Sequence, residues 1–354
     1  MAAKGKVFVG LSGGVDSAVS AALLKEQGYD VTGVFIRIAI PGYPCTAGED
    51  KIDAQRVTAH LRIPFIEIDL SKEYTEEVFK ASIEEFRKGK TPNPDTLCNE
   101  KIKFGSFYNF AKSKGADFIA TGHYARSSIE NGRVLLLKGI DEEKDQSYFL
   151  WMVPEAALKD SLFPVGHLKK PQVRELAKKF GLPNAKRKDS QGLCFLGDIS
   201  INDMLERELS PKLGNILNEQ GEIIGTHTGA MKYTLGQRHG FELSQQTGEA
   251  HYIIGKNIEK NTITASTSPF PSGVSSTRIS LSHSNWIGEV RTGAYLARYR
   301  YRQALISAEL SFLNNGVDIV LNEPHYAPIG QSLVLYENER CLGGGVIGAS
   351  KLTD

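Results

Sequence analysis

The chain has 354 residues, 41% apolar and 23% charged, with a formal net charge of +1. Those totals fit two or three folded domains and exclude both a disordered polymer and a dedicated, strongly basic nucleic-acid coat. No run of about 18 to 20 apolar residues occurs, and "MAAKGKVFVG" passes into a strand-like segment without an apolar signal core, so a cytoplasmic protein with no membrane partner is expected. Cys45, Cys98, Cys194 and Cys341 stand far apart with no CxxC pair. Neither a zinc knuckle nor a disulfide framework is indicated.

Along the chain, "KVFVGLS" predicts a strand and "DSAVSAALLKEQG" a helix stopped at Gly28. "DVTGVFIRI", "IPFIEIDL" and "ADFIATGHYA" predict further strands, separated by the helical patterns "EDKIDAQRVTAHLR", "YTEEVFKASIEEFRKG" and "NEKIKFGSFYNFAKSKG". That βαβα order predicts an α/β domain with a parallel sheet and helices on both faces. "SSIENGRVLLLKG" predicts a hairpin turning at Asn131 and Gly132. Residues 145 to 209 read as a mainly helical extension, interrupted by the loop "DSQGLCFLGD". Beyond about residue 210 short β-like runs follow one another between Gly, Asn and Asp turns. The expected organisation is an α/β domain over 1–209, a small β domain over 210–270 and a C-terminal β-barrel over 271–354, the last two joined by "STSPFPSGVSSTR".

After the first strand stands "GLSGGVDS", Gly10 to Ser17. Two consecutive glycines between a strand and a helix let the backbone come close to an anion, with the positive helix end behind it. No Lys follows and the spacing is not GxGxxG, so neither a Walker ATPase nor a dinucleotide fold is indicated. Ser12, Asp16 and Ser17 add hydroxyls and a carboxylate suited to phosphate and magnesium. The string SGGxDS resembles the loop of the N-type ATP pyrophosphatases, or PP-loop enzymes, whose adenine nucleotide alpha-hydrolase-like fold cleaves ATP between the α and β phosphates.

Within "TPNPDTLCNEKIKF", Pro92 and Pro94 stiffen a loop that presents Asn93, Asp95 and Cys98. A thiol with an ordinary pKa of about 8.5 is only a few per cent ionised at neutral pH, so a working Cys98 needs help. Asp95 could act as its base or shuttle a proton to a substrate. Cys194, in "DSQGLCFLG", sits in a second loop with polar and Gly neighbours, which makes a redox pair with Cys98 conceivable if the two approach. Cys45 and Cys341 read as structural. Between Lys169 and Lys188 eight Lys or Arg face one acid, Glu175. Alone, such a run is expected to be a solvated face. "RYRYR" is expected to be a strand with Arg298, Arg300 and Arg302 on one face and Tyr299 and Tyr301 on the other, which suits phosphates and a stacked base. His123, at a strand's carboxyl end, stands where α/β folds place ligands.

"GLSGGVDS", "TPNPDTLCNEKIKF", "ATGHYAR", "KDQSYFL", "DSQGLCFLG", "YTLGQRHGF", "RYRYRQ" and "GQSLVLYENERCLGGG", in that order, resemble the bacterial tRNA-specific 2-thiouridylase family from near residue 6 to near 348. The resemblance implies a sulfurtransferase that uses ATP with magnesium, and no permanently bound metal, to adenylate the C2 oxygen of the tRNA wobble uridine before sulfur replaces it. It implies that Gly10, Leu11, Ser12, Gly13, Gly14, Val15, Asp16 and Ser17 hold phosphates, with Ile36 and Gly122 along the adenosine. Asn93, Pro94 and Asp95 would face an extruded base, which must leave its stack to be reached. Cys194 would carry a persulfide sulfur and Cys98 would be its partner. Attack by the persulfide itself and attack by released sulfide both remain open, and both end in a disulfide. His123, Lys144, Asp145, Gln146, Arg300, Tyr301 and Gln331 would touch tRNA, and a cysteine desulfurase or sulfur-relay protein would be the donor. "FIRIAIPGYPCTAGED" departs from the pattern of most members. The alternatives are another PP-loop tRNA thiolase or ligase with a different substrate, and a non-catalytic nucleotide-dependent RNA-binding protein.

Overall fold

The computed structural model describes residues 3–43, 47–189, 194–195, 199–245, 248–314 and 316–354. Cys45, within the atypical stretch after the second strand, lies outside them.

Strands β1 (Lys6–Gly10), β2 (Asp30–Arg37), β3 (Phe65–Asp69), β4 (Phe118–Ala120) and β7 (Ser161–Leu162) form a parallel sheet in the order β3-β2-β1-β4-β7. Alternate residues serve opposite faces, as the two-residue period of a strand requires. Val7, Val9, Val31 and Phe35 join α1 (Val15–Glu26) and α2 (Ala47–Leu61) in one core. Phe8, Val34 and Ile36 join the helical runs 71–87 and 94–113 in the other. A sheet apolar on both faces can be stable only between two helical layers. The expected α/β domain is therefore present.

The hairpin strands β5 (Ala125–Glu130) and β6 (Arg133–Lys138) turn at Asn131 and Gly132, both at positive φ (51° and 78°), as a two-residue hairpin turn demands. The second unit is a five-stranded sheet, β8 (Gly214–Leu217), β9 (Ile223–His227), β10 (Glu242–Leu243), β11 (Tyr252–Asn257) and β12 (Thr262–Ser266), in the order β10-β9-β8-β12-β11. In the third, β13 (Ser276–Trp286), β14 (Gly293–Arg298), β15 (Ile306–Leu313), β16 (Gly316–Leu321), β17 (Ser332–Glu337) and β18 (Arg340–Thr353) close into a barrel through the β13–β18 pairing. The hairpin of the first domain continues this barrel sheet by pairing β6 with β18 at Leu136 and Cys341.

"RYRYR" does not form the expected strand. β14 ends at Arg298, and the next residues turn, with Arg302 in the left-handed region at φ 61°. The cause is Gln303, whose side-chain oxygen accepts from the backbone N–H groups of Tyr299 (3.0 Å) and Arg300 (3.1 Å) and so holds the chain in a turn. Arg298 and Tyr299 are both buried, at 6% and 5% exposure, so the alternation is lost.

Buried Arg298 pairs with Asp145, and its guanidinium also donates to the Tyr336 hydroxyl (2.8 and 3.0 Å). Asp145 in turn accepts from the backbone N–H groups of Gly139 (3.1 Å) and Ser147 (3.0 Å) and from the Ser147 hydroxyl (3.1 Å). Every strong acceptor direction of the carboxylate is used, which is the condition under which a buried ion pair is tolerated. Asp145→Ala leaves the guanidinium buried without its counterion and is expected to destabilise the protein by about 3–5 kcal/mol in urea unfolding followed by tryptophan fluorescence. Combining Asp145→Asn with Arg298→Met is expected to restore most of that loss.

Candidate functional site

The strand order reverses between β1 and β4, and in open α/β sheets ligands bind at the carboxyl ends flanking such a point. Gly10 to Gly14 leave β1 there, and Gly122 and His123 leave β4. α1 begins with Gly14 as its N-cap, and no side chain caps its first turn, so its N–H groups are available to an anion. Gly13 lies at φ 75°, and a Cβ there would meet the Asp50 carbonyl oxygen at 2.7 Å. At Gly122 a Cβ would stand 2.7 Å from the backbone nitrogen of Ser17. The Ser17 hydroxyl is 3.3 Å from that of Ser12. Leu11 and Val15 are buried, and Leu11 donates to the Val34 carbonyl, tying the loop to β2.

Three of the eight cations in the basic run belong to this loop. Lys170, at the head of the helix Lys170–Lys179, holds Asp16 at 2.7 and 2.9 Å and Asp189 at 2.9 Å. Lys144 (3.0 Å) and Arg174 (2.5 Å) also reach Asp189, and Arg187 pairs with Asp50 and with Asp53 (2.8 Å). Burial favours the neutral form of Asp189, but hydrogen bonds from Lys170 and Lys144 outweigh it and bring its pKa to about 2. Lys169, Lys178, Lys179, Lys186 and Lys188 remain exposed, as a solvated face would be.

Cys98 is not in a loop, as the sequence reading expects, but closes the helical turn Pro94–Cys98 and is fully buried. Asn93 caps that turn by accepting from the Thr96 N–H (3.3 Å), and Pro94 occupies the first helical position, where its missing donor costs nothing. The wider π-type turns of Asn99–Ser106 follow and carry Lys103. Cys194, partly exposed, is held by three contacts: its N–H donates to Asp95 (3.3 Å), its carbonyl accepts from the Tyr74 hydroxyl (2.9 Å), and its Sγ lies 3.5 Å from the Lys103 ammonium. The Cys98 thiol and the Cys194 sulfur are near enough to bear on each other's charge. Burial first, then Cys194, push the Cys98 thiol well above the ordinary thiol range, and Lys103 opposes that only in part.

The barrel borders the same place. Gln331 accepts from the Asn93 amide (3.2 Å) and from the Tyr148 hydroxyl (3.0 Å), and the Thr91 N–H donates to the Ile329 carbonyl (2.8 Å). Tyr301 packs on Phe149 with ring centroids 4.7 Å apart, and the Phe149 carbonyl accepts from Asn99, the residue after Cys98. Arg300 is exposed at this edge.

Three family models match consecutive parts of the chain: a tRNA methyl transferase HUP domain over residues 5–198, a tRNA methyl transferase PRC-barrel domain over 202–267, and an aminomethyltransferase beta-barrel domain over 276–347. A tRNA-specific 2-thiouridylase MnmA of Bacillus licheniformis is 43% identical over 355 residues, covering 97% of this chain and 94% of the relative. The one from Bacillus subtilis is 41% identical over 352 residues, covering 97% and 94%. The chain belongs to the MnmA family.

Of the residues that the family resemblance singles out, the structure brings Asp95, Cys98 and Cys194 together and sets Asn93 against Gln331. The Asp145 carboxylate is engaged with Arg298, Gly139 and Ser147, so a ligand here would meet its backbone. Gln146 uses its side-chain oxygen on the Tyr124 N–H (2.9 Å). His123 is buried between Phe104 and Phe163 and donates to or accepts from Thr121 at 2.7 Å; burial first, then Lys103, push its pKa well below the imidazole range, so it is neutral. The Ile36 side chain belongs to the core. Sequence reading did not select Lys103 and did not place Lys170, although both stand in stretches it singled out.

Cys341 is buried, and burial pushes its thiol up to about 12. In the folded protein at pH 7.5, iodoacetamide is therefore expected to modify Cys194 well before Cys98 or Cys341, by at least tenfold in rate on the order-of-magnitude rule that one pKa unit is tenfold in thiolate. Peptide mass spectrometry reads the order. Equal rates at Cys98 and Cys194 would contradict the burial described above.

Proposed function

We propose that this protein forms 2-thiouridine at the wobble uridine of tRNA, adenylating the C2 oxygen with ATP and replacing it with sulfur carried on Cys194. The observation that carries this reading is the meeting of Asp95, Cys98 and Cys194 in one cluster of a MnmA-family chain whose phosphate loop lies in the same domain. The glycine cradle, uncapped helix start and serine hydroxyls fit the phosphates of ATP, and Asp16 is the carboxylate suited to a magnesium ion. Domains over 1–209, 210–270 and 271–354 would respectively do the chemistry, bridge, and grip tRNA. Arg300, Tyr301, Gln331, Lys144 and the backbone around Asp145 and Gln146 are the proposed tRNA-facing groups.

The chemistry then runs in balanced steps. The uracil C2 oxygen attacks the ATP α-phosphorus, pyrophosphate leaves, and N3 gives up its proton. A perthiolate on Cys194, loaded from a persulfide donor such as a cysteine desulfurase or sulfur-relay protein, attacks C2 and AMP departs. Cys98 attacks the Cys194 Sγ, so the sulfur–sulfur bond breaks toward C2 and a Cys98–Cys194 disulfide forms. The Cys98 proton ends on uracil N3, and Asp95, beside both cysteines, is placed to carry it. Asp95 thereby serves as base toward sulfur and then as acid toward the uracil. A thiol reductant reopens the disulfide.

Incubation of tRNA with enzyme, ATP and a persulfide donor is expected to give 2-thiouridine by nucleoside mass spectrometry. A different thiolated base would replace this reading with the other-thiolase alternative, and tRNA binding with no product or pyrophosphate would favour a non-catalytic binder. Cys98→Ser and Cys194→Ser are each expected to lower thiolation by at least about a thousandfold, the scale of losing a covalent participant, with ATP and tRNA binding retained. Gly122→Ala, whose new methyl collides with the Ser17 backbone, is expected to weaken ATP binding by about tenfold or more in calorimetry, a cost on the order of 1.4 kcal/mol.

A further inference from the structure

Lys103 has no carboxylate partner within ion-pair distance among the described residues, while its neighbour Lys101 pairs with Glu100 at 2.9 Å. Its ammonium lies instead 3.5 Å from the Cys194 Sγ and 5.8 Å from the centre of the Phe195 ring. A lysine directed at a sulfur is a costly arrangement unless that sulfur carries charge, because an ammonium in a closed site needs an anion. The backbone is shaped to deliver it. In an α-helix residues five apart point to different sides, about 140° apart at 3.6 residues per turn. Cys98 and Lys103 are five apart, yet both face Cys194, because the intervening turns are of the wider π type, bonded i to i+5, which are often found at functional sites.

We propose that Lys103 is a catalytic residue of this site: its ammonium holds the Cys194 sulfur as thiolate for loading and as perthiolate for attack, and loses that anionic partner when the Cys98–Cys194 disulfide forms. The proposal rests on the thiolation reading for its second and third stages; the first concerns Cys194 alone. In loading, the Cys194 thiolate attacks the terminal sulfur of the donor persulfide and the donor thiolate leaves, so the negative charge beside Lys103 persists on the new terminal sulfur. In transfer the perthiolate bonds to C2 and its charge leaves with AMP; Cys98 then breaks the sulfur–sulfur bond, and the disulfide left behind is neutral. A resting site and a spent site thus differ by one negative charge facing one fixed lysine. Burial works against the charge of Lys103, but Cys194, Cys98 and Asp95 outweigh it and hold its pKa above the ordinary lysine value, so it stays an ammonium throughout the working pH range.

Among the described residues, the groups that face this pair are Asp95, Cys98, Tyr74 and His123. Tyr74 is held protonated by burial and His123 is held neutral, so among the described residues Asp95 and Cys98 are the groups besides Lys103 that bear on the Cys194 charge. The test is the pH dependence of Cys194 alkylation in the full-length protein, followed by peptide mass spectrometry, for the parent, Lys103→Met, Lys103→Gln and Lys103→Arg. The expected result for Lys103→Met is a rate at pH 7 lower by about tenfold and a midpoint higher by about one pH unit, with Lys103→Arg close to the parent. Unfolding midpoints and ATP affinity are expected to stay unchanged, which a merely structural lysine would not leave so. If Lys103→Met does not fold, Lys103→Gln is read in its place. An unchanged midpoint in a folded neutral variant, or an arginine variant as impaired as methionine, overturns the proposal. Because this assay contains no tRNA, ATP or donor, a parent enzyme that fails to make 2-thiouridine removes the functional reading without moving the alkylation result.

Discussion

The buried pair of Arg298 with Asp145 fixes where everything else can be. Arg298 is the last residue of a barrel strand, and Asp145 belongs to the segment that leaves the catalytic domain's hairpin. An isolated charge from either domain could not be buried there, so each makes the other possible. Tyr336 and Ser147 complete the network, and Val334, Tyr336 and Cys341 of the barrel join the core beneath the parallel sheet. The barrel is thus continuous with the catalytic domain's packing and not a module on a tether. Its loop at Gln331 is thereby held against Asn93, and Tyr301 against Phe149.

Charge is distributed around the site in two unlike ways. At the phosphate loop the cations Lys170, Lys144, Arg174 and Arg187 are matched by Asp16, Asp189, Asp50 and Asp53. An incoming polyphosphate meets lysines already desolvated and oriented, and competes with carboxylates for them. At the cysteines, among the described residues, a single ammonium faces two sulfurs and one carboxylate. The first arrangement is suited to exchange of anions, the second to keeping one anion in place while its chemistry changes.

Much of this was legible in the sequence because local rules decided it. Alternating apolar strands bounded by amphipathic helices gave the parallel sheet; Asn131-Gly132 gave a turn that needs two positive φ values; consecutive glycines after β1 gave the anion loop. What failed had causes that the residue pattern itself does not show. The arginine–tyrosine alternation looked like a strand, but Gln303 folds it into a turn and Asp145 draws Arg298 inward, and neither partner is visible from the repeat itself. The eight-residue stretch after Cys98 reads as ordinary α-helix, and nothing in that pattern singles out Lys103. Only the wider turns, which shift every later side chain around the helix axis, put it beside Cys194.

The turn after β4 joins the two halves of the chemistry. Thr121 accepts through its carbonyl from the Ser20 hydroxyl of α1 (3.3 Å), Gly122 lies against the backbone of Asp16 and Ser17, and His123 packs on Phe104, the residue after Lys103. Three consecutive residues therefore touch the phosphate loop on one side and the sulfur cluster's helix on the other. A side chain at position 122 would separate them, and a charged imidazole at 123 would set a second cation beside Lys103. Burial keeps that imidazole neutral, which leaves Lys103 as the cation beside the Cys194 sulfur among the described residues. Glycine at 122 and a neutral histidine at 123 are thus physical conditions for setting the glycine loop close to the cysteine cluster without adding a second cation there.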